Sequence, residues 1–169
     1  MAPNLSNEML DKFNDQFNKI NESFKIVFKE LFGGGNARLE LTESEDPLEA
    51  GVEIMVQLPG KAANNLSLLS GGEKTLTAIA LLFAILRLKP LPFSLLDEIE
   101  AALDDANIQR FVTDLKKLSE TTQFIVITHR KPTMELADGL YGVTMEEKGV
   151  SKVVSVKLAD AMAQVETND

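Results

Sequence analysis

The feature that most constrains the fold lies in the second half of the chain. Phe93-Ser94-Leu95-Leu96 is a short apolar run behind Pro90 and Pro92, and Gln123 to Thr128 is a second. Between them Ile108, Phe111, Val112, Leu115 and Leu118 mark one face of a helix that Asp104 or Asp105 would cap and that ends near Glu120. Short continuous apolar runs suit central parallel strands, because both faces of such strands are covered. Strand, helix, strand in this order predicts a right-handed βαβ unit, so the chain is expected to be α/β with a parallel core.

The flanking pattern extends that reading. Glu73 to Leu88 is apolar on most of its surface and predicts a deeply buried helix. Ala37 to Leu41 and Gly51 to Leu58 alternate like two strands joined by the acidic loop Thr42 to Glu49. Pro59-Gly60-Lys61 opens a polar loop. Downstream, a short helix near Met134 to Asp138 precedes two strands, Leu140 to Met145 and Lys152 to Leu158, with a Gly-containing turn between them. The acidic residues from about Asp160 onward are expected to fray.

At the other end, Leu10, Phe13, Phe17, Ile20, Phe24, Val27 and Leu31 alternate spacings of three and four, a heptad seam over residues 6–32. It fits an amphipathic helix lying on a core, and equally the end of a coiled coil whose partner helix lies elsewhere. Its richness in Phe suits a splayed junction better than a long regular zipper. Gly33-Gly34-Gly35-Asn36 stops the helix.

Composition removes several chemistries. The 169 residues include no cysteine and one histidine, which excludes disulfides, thiolate nucleophiles and Cys- or His-cluster metal sites. A net charge of −9 makes the chain a poor general binder of polyanions. No apolar run reaches membrane-spanning length and the N-terminus lacks a signal-peptide pattern, so a soluble intracellular protein is expected.

Two constellations remain. Ser70-Gly71-Gly72-Glu73 opens the buried helix as a capping box, Ser70 capping and Glu73 reaching back. That accounts for Ser and Glu but not for two glycines in a first turn, where each costs about 0.5–1 kcal/mol relative to alanine. A ligand approaching the backbone would account for them, since a helix start offers an anion bare N–H groups and a positive dipole end. Asp97-Glu98 ends the apolar run Phe93 to Leu96, where a carboxylate could hold magnesium and another could act as a base on water. Strand ends also carry acids simply because the chain emerges into solvent. Glu100, Asp104 and Asp105 crowd further charge nearby. His129 follows the second run and would emerge at the same sheet edge if the strands are parallel neighbours. A Gly-x-x-x-x-Gly-Lys-Ser/Thr phosphate loop is absent: neither Gly33-Gly34-Gly35 nor Gly60-Lys61-Ala62 has its required residues.

The order of these motifs resembles the C-terminal half of an ABC-type ATPase head. Leu96-Asp97-Glu98-Ile99-Glu100-Ala101-Ala102-Leu103-Asp104, Ile127-Thr128-His129-Arg130-Lys131 and Ala137-Asp138-Gly139-Leu140-Tyr141-Gly142-Val143-Thr144-Met145 narrow the resemblance to bacterial SMC (structural maintenance of chromosomes) proteins. So do Leu31-Phe32-Gly33-Gly34-Gly35 and Gly51-Val52-Glu53-Ile54. Lys74-Thr75 stands where relatives often have Arg-Ala, a mild departure.

The resemblance implies a coiled-coil stub at 6–32, half of an ATPase head at 33–160 and an acidic tail at 161–169. Ser70, Gly71, Gly72 and Glu73 would form the signature loop, with Ser70 and Gly72 touching the γ-phosphate of ATP held by an opposite head. Asp97 would belong to the Mg2+ shell, Glu98 would polarise the attacking water, Asp104 would be the D-loop residue and His129 would sense the γ-phosphate. The implied partners are the N-terminal half of the same head, a second head in a homodimer, a kleisin subunit and, through the full complex, DNA. The implied setting is the bacterial cytoplasm, and this chain alone should not hydrolyse ATP. A related coiled-coil DNA-repair ATPase is the alternative. So is a pure binding module that displays a kleisin site.

Overall fold

The computed structural model describes residues 3–44 and 49–156. The expected tail at 161–169 and the end of the expected last strand lie outside the described residues. The fold is mixed α/β. Its contacts divide it into two compact units, one ending at Ile127 and one beginning at Thr128.

The first unit opens with α1 (Pro3–Phe32), a single 30-residue helix. The seam splits into two regimes. Phe24, Val27 and Leu31 are fully buried, joined by Phe28, which the seam had not included. Leu10, Phe13, Phe17 and Ile20 are only partly covered. The C-terminal half is thus an amphipathic helix on a core, packed against α2 (Gly71–Leu88), β1 (Asn36–Leu41) and α3 (Asp105–Leu118). In the half-covered part, Phe13 and Phe17 stack on each other with ring centroids 6.0 Å apart. The helix ends in two paired bonds, from Gly34 N–H to Lys29 C=O at 2.9 Å and from Gly33 N–H to Glu30 C=O at 3.4 Å. These close the last turn in the glycine-capped pattern expected there.

Strands β1, β2 (Val52–Gln57) and β3 (Asn64–Asn65) form an antiparallel sheet in that order. The segment read as a polar loop therefore contains a third strand, followed by a 3-10 turn at Leu66–Leu68. Ala37, Leu39 and Val56 turn inward from β1 and β2. Asn21 of α1 fixes this sheet to the helix: its Nδ2–H donates to the Leu39 carbonyl at 3.1 Å and its Oδ1 accepts from the Leu39 N–H at 2.9 Å.

The core closes on α2 and α3. Leu76, Ile79, Ala80, Phe83, Ala84 and Leu86 of α2 are buried, as are Ile108, Phe111, Leu115 and Leu118 of α3. Phe83 and Phe111 stack across the two helices at 5.7 Å. One ionic knot accompanies this packing. Asp114, nearly buried on α3, lies 2.8 Å from Lys117 and 3.8 Å from Arg87 of α2. Arg87 also holds Glu30 of α1.

Strands β4 (Phe93–Asp97) and β5 (Gln123–Ile127) pair in parallel, with Leu95 opposite Ile125 and Asp97 opposite Ile127, and α3 connects them. The βαβ unit is present, but the expected burial is not. Leu96 is buried, whereas Phe93, Leu95, Ile125 and Ile127 stand 61%, 59%, 51% and 50% exposed. The sheet has only two strands among the described residues, and the side chains that alternate away from Leu96 have nothing packed over them.

The second unit, described by itself, contains α4 (Lys131–Leu136) and the antiparallel hairpin β6 (Leu140–Glu147) and β7 (Val150–Val156). Both strands run beyond the expected limits at the turn. Tyr141, Val143, Met145 and Val153 are largely exposed on the hairpin.

Candidate functional site

The start of α2 is built as a complete capping box. Ser70 has extended backbone, φ −65° and ψ 164°, and its side chain accepts from Glu73 N–H at 3.4 Å. Glu73 Oε2 in return accepts the Ser70 N–H at 3.0 Å. Glu73 Oε1 lies 2.8 Å from Lys61 Nζ. Chiefly because of the Lys61 hydrogen bond, then those of Ser70, the Glu73 carboxyl pKa falls to about 2. The box uses the N–H groups of Ser70 and Glu73. Those of Gly71 and Gly72 have no acceptor within the helix, as for any first turn.

The two glycines have different reasons. A Cβ on Gly72 would stand 2.9 Å from the Ala102 carbonyl oxygen, so a neighbouring backbone by itself requires glycine at this position. A Cβ on Gly71 would meet nothing within 4 Å. Of the two, Gly71 is the one that the packing does not explain.

Ser70, Gly72, Glu73, Ala102, Leu103, Asp104, Asn107 and Lys61 are brought together around one polar cavity of about 310 Å³, which Phe32, Leu58 and Pro59 complete. Asp104 is the N-cap of α3, its Oδ1 accepting the Asn107 N–H at 2.8 Å. Sequence reasoning placed Ser70, Gly72, Glu73 and Asp104 here separately and missed Lys61 and Asn107. Lys61 was visible only as part of a motif that fails as a phosphate loop.

Asp97 and Glu98 are exposed at the C-terminal end of β4 and do not line that cavity. The Glu98 N–H donates to the Ile127 carbonyl at 2.9 Å, so pairing with β5 continues to Glu98. The chain then turns sharply: Glu98 has φ +47°, the one non-glycine residue in the left-handed region among those described. Such backbone costs about 1–3 kcal/mol and is concentrated at functional turns. Glu100 is fully buried and Asp104 is committed to capping. Among the described residues no three acidic or histidine side chains group as a metal site. His129 is exposed in the second unit, two residues after β5 ends.

Comparison with known proteins follows the same lines. Residues 6–152 match the family described as RecF/RecN/SMC N terminal domain. The chromosome partition protein Smc of Bacillus subtilis is 62% identical over 156 residues, covering 92% of this chain and 13% of that protein. The chain therefore spans about an eighth of the length of that relative. A crystal structure of an SmcHead bound to the C-winged helix domain of ScpA is 46% identical, with a TM-score of 0.84, over 93% of this chain and 48% of that one. A chain solved in work on ATP-driven dimerization and DNA stimulated activation of SMC ATPases is 44% identical, with a TM-score of 0.78, over 93% of this chain and 95% of that one. The chain belongs to the RecF/RecN/SMC family, and within it to the bacterial SMC proteins.

Proposed function

We propose that this chain is the C-terminal half of an SMC ATPase head, with residues 6–32 as its coiled-coil arm, 33–160 as the half-head and 161–169 as a tail. Its signature loop serves nucleotide held on a second head. The observation that carries this reading is the cavity shared by Ser70, Gly72, Glu73 and Asp104, beside a Gly71 that leaves open space at a helix start. A hydroxyl, unused first-turn N–H groups and a positive dipole end suit a phosphate. The sequence has no phosphate loop to hold that nucleotide itself. Coverage of 48% of a solved SmcHead supports half a head. The open face of β4 and β5 is then where the other half sits.

In this reading Ser70, Gly71, Gly72 and Glu73 form the surface that meets the γ-phosphate of ATP. Asp97 supplies a carboxylate to Mg2+, an ion usually held by one or two carboxylates plus phosphate oxygens and waters. A single exposed Asp at a strand end fits that donor set. Glu98 accepts a proton from the attacking water, His129 helps to place that water, and Asp104 lies at the interface between heads. The partners are the N-terminal half, a second head, a kleisin subunit and, through the complex, DNA. The similar SmcHead was solved with a ScpA domain. By extension, the exposed apolar residues of β6 and β7 are assigned to kleisin docking. No helix among the described residues is long and apolar enough to cross a membrane.

Mixing the chain with the matching N-terminal half tests this reading. The mixture should hydrolyse ATP and the pure chain should not. Turnover by the pure chain, or none by a mixture that forms a complex, would contradict it.

A further inference from the structure

Pro59-Gly60-Lys61 has no part in the reading above, yet it is a built feature. Leu58 is buried, and its carbonyl accepts the Lys61 N–H at 3.0 Å. Pro59 and Gly60 occupy the two central positions of this turn, and Gly60 has φ +73°. That is the arrangement of a type II turn, in which proline presets the first position and glycine tolerates the second. The turn is anchored at one end by a core residue and presents Lys61 at the other. Lys61 Nζ lies 2.8 Å from Glu73 Oε1.

The Glu73 carboxylate therefore has two tasks. One oxygen holds Lys61 and the other holds the Ser70 N–H at 3.0 Å. The reciprocal contact, from Glu73 N–H to Ser70 Oγ, is longer at 3.4 Å. The side of the box that Lys61 supports is thus the tighter one. An exposed ion pair contributes little to stability, and the Lys61 side chain is 58% exposed. Stability is a poor reason for a preset turn that ends in such a pair. Lys61, Glu73, Ser70 and Gly72 all line the same cavity.

We propose that Lys61 is a positioning residue of the signature loop, acting through Glu73 to hold Ser70 in the arrangement that nucleotide on a partner head meets. This rests on the reading of Ser70 as a site for nucleotide held elsewhere. Lys61 itself need not touch the nucleotide.

The test uses the full-length protein that carries this chain, with ATP-driven head association followed by light scattering over a range of protein concentrations. Lys61→Ala should raise the concentration for half-association by about three- to tenfold. Lys61→Arg should stay within about twofold of the parent, since a single ion pair is conserved. The unfolding midpoint should fall only by the small amount that an exposed ion pair contributes, too little to account for the loss of association, which separates positioning from a structural role. On a Glu73→Ala background, Lys61→Ala should add nothing, because the two act as one unit. Parental association in Lys61→Ala, with association lost in a Ser70→Arg control, would overturn the role of Lys61 and leave the site standing. An undiminished effect of Lys61→Ala on the Glu73→Ala background would overturn action through Glu73. Parental association in Ser70→Arg would overturn the site itself, and this inference with it.

Discussion

The backbone of Gly72 sits against Ala102, so close that a Cβ on Gly72 would stand 2.9 Å from the Ala102 carbonyl oxygen. This contact joins the start of α2 to the loop between β4 and α3. Ser70, Gly72, Glu73 and Asp104 line one cavity beside it.

Gly72→Ala should therefore destabilise the protein by about 1–3 kcal/mol, because backbone must move to admit the methyl group. Gly71→Ala meets open space and should stabilise by up to about 1 kcal/mol, as for any glycine replaced at a helical position. Denaturant unfolding of the two variants measures the difference. Equal effects would mean that the two glycines are not distinguished by the Ala102 contact.

Glu98 offers a second separation, of strain from chemistry. Glu98→Gly should raise stability by about 1 kcal/mol, since glycine accepts φ +47° without a steric penalty. Glu98→Gln should leave stability near that of the parent while ATP turnover in the full protein falls to background, because an amide cannot accept the proton. Normal turnover in Glu98→Gln would remove the proposed role.

Glu73 gives a pH dependence with a definite sign. Its carboxyl is held at about 2 in the folded protein, against 4.5 for the ordinary group, first by the hydrogen bond from Lys61. A lowered folded pKa means stability that is fully present above about pH 4.5 and is lost as pH falls from there through about 2. Carboxyl-selective NMR titration should find Glu73 still ionised at pH 3 in the parent and shifted upward in Lys61→Ala. An unshifted Glu73 in that variant would show that Lys61 does not hold it.

The bare face of β4 and β5 yields a fourth expectation. Replacing Leu95 and Ile125 together with serine should reduce self-association of the isolated chain. It should also weaken pairing with the N-terminal half about tenfold or more, since each apolar side chain buried in a contact contributes about 1.5–3 kcal/mol. Sedimentation of the chain alone and with the N-terminal half reads both effects. Unchanged pairing would place the other half elsewhere.

Much of this was legible in the residues. The period of α3, an aspartate cap at 104 or 105 and the Ser70–Glu73 box are local facts, set by spacing and by hydrogen-bonding groups a few residues apart, and the structure has each of them, with Asp104 as the cap. The burial of Phe93 to Leu96 was not legible. An apolar run says that a strand can be covered on both faces, but the cover depends on elements distant in sequence or on another chain. The seam of α1 shows the same limit: the spacing is uniform from Leu10 to Leu31, yet of its residues only Phe24, Val27 and Leu31 are fully buried. Gly72 was read as room for a ligand because its true neighbour, Ala102, lies 30 residues away. Lys61 was passed over because it was judged by a motif it does not complete, and its partner Glu73 stands 12 residues further on, at the start of α2.

The most direct test of the central claim is ATP-dependent association of the full-length protein with Ser70→Arg, measured by light scattering alongside nucleotide binding. The expected result is ATP bound as in the parent with no ATP-driven joining of heads, because the arginine fills the open space beside Gly71 where nucleotide on the partner would enter. Heads that still join with ATP in that variant would contradict the claim.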